Sequence, residues 1–255
     1  MGTQADLELA LRCSDAAADL ALGYFEAGVE VSTKADGSPV TEADRAVEQL
    51  LREMLGSEVP GDALLGEELG RLGDAERLWI LDPVDGTSYF SRRDPNWRVH
   101  VALEVAGMTE VAVVTAPALR CQWWATRGGG AFESSWPREG DVERLRVSRT
   151  ASLAGALVDA VDAEARGRLP REATLAPSSP LALVELVRGE IDGFLAECCQ
   201  LWDHAPWILL VEEAGGRFTD REGGRRGDRG GGLYSNANLH TQLLRSIGCP
   251  GHPCP

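Results

Sequence analysis

Cysteine, histidine and positive charge are all scarce in this 255-residue chain. Its six cysteines are scattered, with Cys198 and Cys199 adjacent and Cys13 and Cys121 alone, which excludes a disulfide scaffold. The tail Cys249-Pro-Gly-His252-Pro-Cys254 has ligand-like spacing, but a frayed terminus with reducible thiols is the favoured reading. Four histidines leave little material for a histidine-activated nucleophile. There is no G-x-x-x-x-G-K-[ST], no G-x-G-x-x-G after a strand, no H-E-x-x-H and no G-x-S-x-G. Apolar runs are short, and Asp6 and Glu8 interrupt the N-terminus, so neither a signal peptide nor a spanning helix is expected. Asp6 also breaks the myristoylation pattern after Gly2. The expectation is a soluble, cytoplasmic protein.

What the chain has in excess is acid. Forty Asp and Glu against 25 Lys and Arg give a formal charge of −15, which repels nucleic-acid backbones and anionic membranes. Partners are therefore expected to be small molecules. A phosphate-bearing ligand would need attraction from something other than the net charge. With 44% apolar and 25% charged residues the composition is that of an ordinary globular protein.

Leu7, Leu11, Ser14, Ala18, Ala21, Leu22 and Phe25 recur at helical spacing and predict a helix over 5–27. A polar loop, 32–39, leads to a second helix at Thr41, where Asp44 three residues on makes a capping-box pattern. Val47, Leu50, Leu51, Met54 and Leu55 form its expected buried stripe. Short strands follow at 63–65 and 78–81, the second ending at Asp82-Pro83. Alternating patterns predict strands over 99–105, 111–115 and 121–126. The charged stretch 136–143 marks a boundary, dividing an N-terminal α+β domain, 1–140, from a C-terminal α/β domain, 141–255. The latter alternates strands (156–161, 190–195, 216–219, 232–235) with helices (180–188, 203–214). The Gly-rich loop 221–232 has the composition of a mobile surface segment.

Asp82-Pro-Val-Asp85-Gly-Thr87 puts two carboxylates three residues apart at a strand end. Oxygen donors so arranged suit hard divalent cations, and Gly86 and Thr87 would offer N–H groups to an anion. A plain Asp-Pro turn is the competing reading. Glu67 ends the preceding strand, and Asp203 opens the helix 203–214 as either its N-cap or a ligand. Four clustered acids repel one another unless cations neutralise them, so loss of one, as in Asp85→Asn, is expected to raise metal-free stability.

Gly66-Glu67-Glu68, Trp79-Ile-Leu-Asp82-Pro-Val-Asp85-Gly-Thr87 and Trp202-Asp203-His-Ala205, followed by Glu212-Glu-Ala-Gly-Gly216, resemble the signature regions of the inositol monophosphatase family. Pro39 to Asp44 and Gly128-Gly-Gly130-Ala131 extend the resemblance to residues 30–240. Ala116 to Leu119 and Trp123-Trp124-Ala125 most resemble its histidinol-phosphate phosphatase branch. The resemblance implies an α/β fold of alternating helix and sheet layers (an α-β-α-β-α sandwich), a homodimer and a lithium-sensitive phosphatase using two or three Mg²⁺. It makes Glu67, Asp82 and the Val84 carbonyl ligands of one ion, and Asp82, Asp85 and Asp203 ligands of a second. Asp44 falls in the outer shell, and Thr87, polarised by Glu67, orients the attacking water. Asp85, Gly86, Thr87 and Asp203 would touch the substrate. Glu197 is either a substrate contact or an ordinary loop acid. The run Ser88-Tyr89, the polar stretch 92–97 and the short segment 149–201 depart from the family and are expected to bear on substrate. Histidinol phosphate is the first candidate. Inositol, sugar and nucleotide phosphates, and a non-catalytic binding role, are the alternatives.

Overall fold

Residues 3–28, 31–33, 39–197 and 199–248 are described in the computed structural model of the chain. Most of the 32–39 loop, Cys198 and the 249–254 tail lie outside them. The described chain forms two units, residues 1–127 with 132–143, and residues 128–131 with 144–255.

In the first unit, α1 (Thr3–Ala27) turns Leu9 inward together with Ala10, Cys13, Ala17, Ala18 and Ala21, the last five small enough to let the helix lie close to the sheet. Burial pushes the Cys13 thiol up to about 12, so it packs as an inert apolar group. The helix ends at Gly28 (φ +86°), whose N–H reaches the Tyr24 carbonyl. Arg93 then caps it from outside by donating to the carbonyls of Phe25 and Glu26. Part of the polar stretch expected to shape a substrate pocket thus has a structural task. Trp97 does too, buried against Phe25 and Phe90.

Two short strands, β1 (Val31–Thr33) and β2 (Pro39–Thr41), pair antiparallel where the sequence pattern predicts a polar loop. The helix α2 (Glu42–Glu58) follows, with the reciprocal Thr41–Asp44 capping box in place. Val47, Leu51 and Leu55 are buried as expected, Leu50 and Met54 only partly. The buried row also holds two acids, Asp44 and Glu48.

The hairpin β3 (Ala63–Gly66) and β4 (Gly70–Leu72) precedes β5 (Arg77–Asp85) and the short helix α3 (Thr87–Ser91). A meander follows: β6 (Arg98–Val105), β7 (Met108–Ala116), a 3-10 turn at Pro117–Leu119, β8 (Cys121–Thr126), β9 (Gly130–Ser135) and β10 (Glu143–Arg144). The sheet order is β10-β9-β8-β7-β6-β5-β3-β4. Within it, β3 and β5 are parallel and β5 and β6 antiparallel.

The second unit contains β11 (Leu157–Ala160), α4 (Ala163–Arg166), β12 (Thr174–Leu175), α5 (Ala182–Val187) and β13 (Gly193–Glu197). Then come α6 (Leu201–Glu213), β14 (Gly216–Asp220), β15 (Gly231–Asn236) and α7 (His240–Ile247), the strands ordered β12-β11-β13-β15-β14. Besides β1 and β2, local pattern missed β4, α3, β9, β10, α4, β12 and α7, all short elements whose apolar positions are too few to set a period. The Gly-rich loop is wound around Asp220, whose carboxylate accepts from the N–H groups of Glu222, Gly224 and Arg226.

His240 fixes α7 to this sheet, bonding Ser235 Oγ at 2.7 Å and Thr219 Oγ1 at 3.0 Å. Burial, helped by Arg217, brings its pKa down to about 4 from 6.5. The folded state therefore binds fewer protons than the unfolded one between those values, so this contribution is complete above pH 6.5 and is lost as pH falls toward 4. The melting temperature is expected to drop between pH 7 and pH 4.5, and less so in His240→Gln. Equal drops in both proteins would assign the acid sensitivity elsewhere.

Candidate active site

The strand β5 does not stop at Asp82 but continues through Pro83 to Asp85. Asp82 lies opposite His100, and Asp85 opposite Arg98. Two residues of β5, Pro83 and Val84, therefore oppose Val99 alone. This bulge matters because residues three apart on a regular strand point to opposite faces. The extra residue resets the alternation, and carboxylate oxygens of Asp82 and Asp85 come within 4.8 Å of each other. Proline suits such a position, since an unpaired bulge residue needs no N–H for the ladder. Buried Asp82 also accepts the Val84 N–H at 3.1 Å, which fixes the loop's curvature.

Glu67 enters from the neighbouring parallel strand. Gly66 is the register partner of Leu81, and the Glu67 N–H donates to the Leu81 carbonyl. In register Glu67 thus follows Gly66 as Asp82 follows Leu81 on the adjacent parallel strand, just past the end of β3 and inside β5. Glu48 of α2, fully buried, holds the turn that follows Glu67. Its carboxylate accepts from the N–H groups of Glu68 (2.7 Å) and Leu69 (3.1 Å) and from Arg52 Nε (2.8 Å). A side chain at Gly66 would collide with that carboxylate, so the glycine is required by close approach rather than by φ. Sequence reasoning missed Glu48. The signal was a charged residue one turn after Asp44 on the buried face of α2.

Gly86 takes a left-handed conformation (φ +84°) and starts α3 with Thr87 as its first residue. Thr87 Oγ1 is 3.1 Å from Asp44 Oδ1 and 3.1 Å from the Val84 carbonyl. The other Asp44 oxygen accepts from Thr41 N (2.8 Å) and Thr41 Oγ1 (2.6 Å). A carboxylate within hydrogen-bonding reach of the Thr87 hydroxyl is therefore Asp44, where the resemblance pointed to Glu67. The capping box and the contact to Thr87 use different oxygens of one side chain.

Asp85 is not held apart by repulsion. Its Oδ2 accepts from Arg98 Nε at 2.7 Å, with Nη2 at 2.6 Å and His100 Nε2 at 3.5 Å. Burial raises the cost of its charge, but Arg98 and His100 outweigh that and hold its carboxyl below the usual range. The sequence reading did not include Arg98 or His100, because their contact depends on the β5–β6 register.

In the second unit, α6 begins at Leu201 with Gln200 as N-cap, so Asp203 is the third helical residue rather than the cap. Its Oδ2 accepts the Gln200 N–H at 2.6 Å, the same reciprocal box as Asp44 makes in α2. The next residue, His204, is buried against Tyr234, with Nδ1 at 2.5 Å from the phenol oxygen. Burial takes its pKa to about 4, so it is neutral at pH 7. Glu197, at the end of β13, pairs with Arg168 and lies 3.6 Å from Arg221. Glu213 accepts from the N–H groups of Gly128 (2.8 Å) and Gly130 (2.9 Å), giving both of those motifs a structural task.

The sequence pattern of the inositol monophosphatase family matches residues 3–249. The chain belongs to the inositol monophosphatase family. Among its relatives, a Mycobacterium tuberculosis protein named histidinol-phosphatase is 38% identical over 256 residues, covering 95% of this chain and 97% of that one. A Streptomyces griseus protein named glucose-1-phosphate thymidylyltransferase is 40% identical over 257 residues, covering 95% and 97%. The solved Thermotoga maritima IMPase superposes with a TM-score of 0.79 at 27% identity, covering 96% of each chain. The expected α/β class is the one this inositol monophosphatase family member has, with an eight-stranded and a five-stranded sheet, the two-stranded β1–β2 pair and their helices. As a member of a metal-dependent family of phosphomonoester hydrolases, the chain is a phosphatase acting on small phosphomonoesters. Among the described residues, no helix is long and apolar enough to cross a membrane.

Proposed function

We propose that the chain is a magnesium-dependent phosphatase of a small metabolite, with histidinol phosphate as first candidate substrate. The observation that carries the metal-assisted part is the β5 bulge, which brings the carboxylates of Asp82 and Asp85 together, with Glu67 next in register on the parallel strand. An all-oxygen donor set of this kind fits Mg²⁺ and not a soft metal. Glu67, Asp82 and the Val84 carbonyl are assigned to one cation, and Asp82, Asp85 and Asp203 to a second. Asp44 is the candidate for a third, weaker site. Asp203 and its share of the C-terminal domain are assigned on the family pattern.

Bound divalent cations would supply Lewis acidity, neutralising the phosphate dianion and acidifying the attacking water. The chain's own groups do the rest. Thr87, with Asp44 at its hydroxyl, holds the water's proton and aims its lone pair at phosphorus. Gly86 and Thr87 N–H groups receive phosphate oxygens. A water beside Asp203 protonates the departing alkoxide, and Glu197 is kept as a candidate contact to the leaving group. The site distinguishes phosphate from other groups, whereas the leaving group is read elsewhere. Histidinol phosphate leads because of the 38% identity to the M. tuberculosis relative over nearly the whole of both chains. The S. griseus relative's name keeps a sugar phosphate in contention. A homodimer is also proposed, to be checked by sedimentation.

The test is hydrolysis of histidinol phosphate, inositol 1-phosphate, glucose 1-phosphate and a nucleoside monophosphate, ranked by kcat/KM with Mg²⁺ or excess chelator. Histidinol phosphate is expected to rank first, and chelator to abolish turnover. Full turnover in chelator would overturn the metal assignment, and a different leading substrate would overturn the specificity. Transfer from dTTP to glucose 1-phosphate, assayed alongside, would replace hydrolysis by nucleotidyl transfer.

A further inference from the structure

Asp85, a proposed cation ligand of the first unit, meets a protein cation face to face. Arg98 and His100, two residues apart on β6, share the strand face turned toward it. All three of its described contacts fall on a single oxygen, Oδ2. The Arg98 side chain is 12% exposed and that of Asp85 21%, so bulk water screens the pair poorly. Arg98 approaches with both Nε and Nη2, a fixed geometry that a lysine could not copy.

We propose that Arg98 is a resident counter-cation of the acidic site, holding Asp85 in the cation-free protein and weakening divalent-cation binding so that the ion exchanges readily. The inference rests on the reading of Asp85 as a cation ligand. Two effects of Arg98 oppose each other. By fixing the carboxylate it spares a cation the cost of ordering that side chain, which favours binding. By neutralising the carboxylate and repelling a dication well inside the ~8 Å screening length, it disfavours binding. The second effect dominates, because a full charge at hydrogen-bond distance outweighs the entropy of one short side chain. Arg98 is thus a positioning residue that sets affinity, and it touches neither substrate nor reacting atoms in this scheme.

The test is calorimetric titration of Mg²⁺, with Mn²⁺ as a second probe, into chelator-treated full-length protein without substrate. Arg98→Gln is expected to bind at least ~10-fold more tightly than the parent. Arg98→Lys, which keeps the charge, stays close to the parent. Without metal Arg98→Gln melts lower, and the gap closes at saturating Mg²⁺, a pattern that loss of a purely structural ion pair would not give. If Arg98→Gln does not fold without metal, refolding it in Mg²⁺ and titrating with chelator gives the same comparison. Equal or weaker binding by Arg98→Gln overturns the inference while the metal reading stands. No binding of either ion by the parent protein overturns the metal reading itself, and the inference with it.

Discussion

Asp85→Asn is expected to lower kcat at least ~100-fold at saturating Mg²⁺, the cost of removing a group that stabilises transition-state charge. Its fold should persist. Its metal-free melting temperature should fall, reversing what the acidic cluster suggests from sequence alone. In the structure Asp85 is the partner of a poorly exposed Arg98, and asparagine would leave that guanidinium facing a neutral amide. Removing one member of such a pair exposes the desolvation cost of the other. Steady-state kinetics and a melting curve in chelator measure the two effects separately. Unchanged kcat would remove Asp85 from the machinery. A raised melting temperature would mean that repulsion among Asp82, Asp85 and Glu67 outweighs the Arg98 pair.

Thr87→Ala is expected to lose ~100-fold or more in kcat while Mg²⁺ affinity is retained, and Thr87→Ser to keep most of the rate because the hydroxyl survives. Because Thr87 Oγ1 lies 3.1 Å from Asp44 Oδ1, Asp44→Asn should lose kcat to a similar degree, with any loss of Mg²⁺ binding confined to the third, weaker site. The double variant Asp44→Asn/Thr87→Ala should then be little worse than either alone, the signature of two residues serving one function. Glu67→Gln behaves differently, losing rate and metal affinity together, since its carboxylate is assigned as a ligand. The measurements are Mg²⁺ titrations of kcat for each variant, backed by calorimetry. Thr87→Ala weakening Mg²⁺ as much as Glu67→Gln would make Thr87 a prop of the loop. Strict additivity of Asp44 and Thr87 would return the polarising role to Glu67.

Much of this was legible in the chain itself. The Thr41–Asp44 box, the helix of 5–27 and the strands of 99–126 follow from spacings of two to four residues, and each is present. Short-range patterns survive folding because the same few backbone atoms decide them. The acids of 67, 82 and 85 were visible as candidates for a related reason: carboxylates beside Gly and Pro at strand ends suit hard cations, and their order along the chain matched a family whose pattern covers residues 3–249.

Tertiary structure alone decided how those acids are held. No local rule shows that β5 runs through Asp82-Pro83, because proline ordinarily ends a strand, and only the pairing with β6 shows the tolerated bulge. That bulge sets which face Asp85 occupies, and a shift of one residue would turn Arg98 and His100 away from it. Glu48 reads as a helix acid until the turn at 67–69 closes over it. Thr87 lies 43 residues from Asp44, and its hydroxyl found that carboxylate only when α2 and α3 were placed. The sequence by itself determined which groups carry the charge and which small spacings they keep. Which cation or hydroxyl each carboxylate meets is a matter of register and packing between distant segments, and that the fold alone supplies.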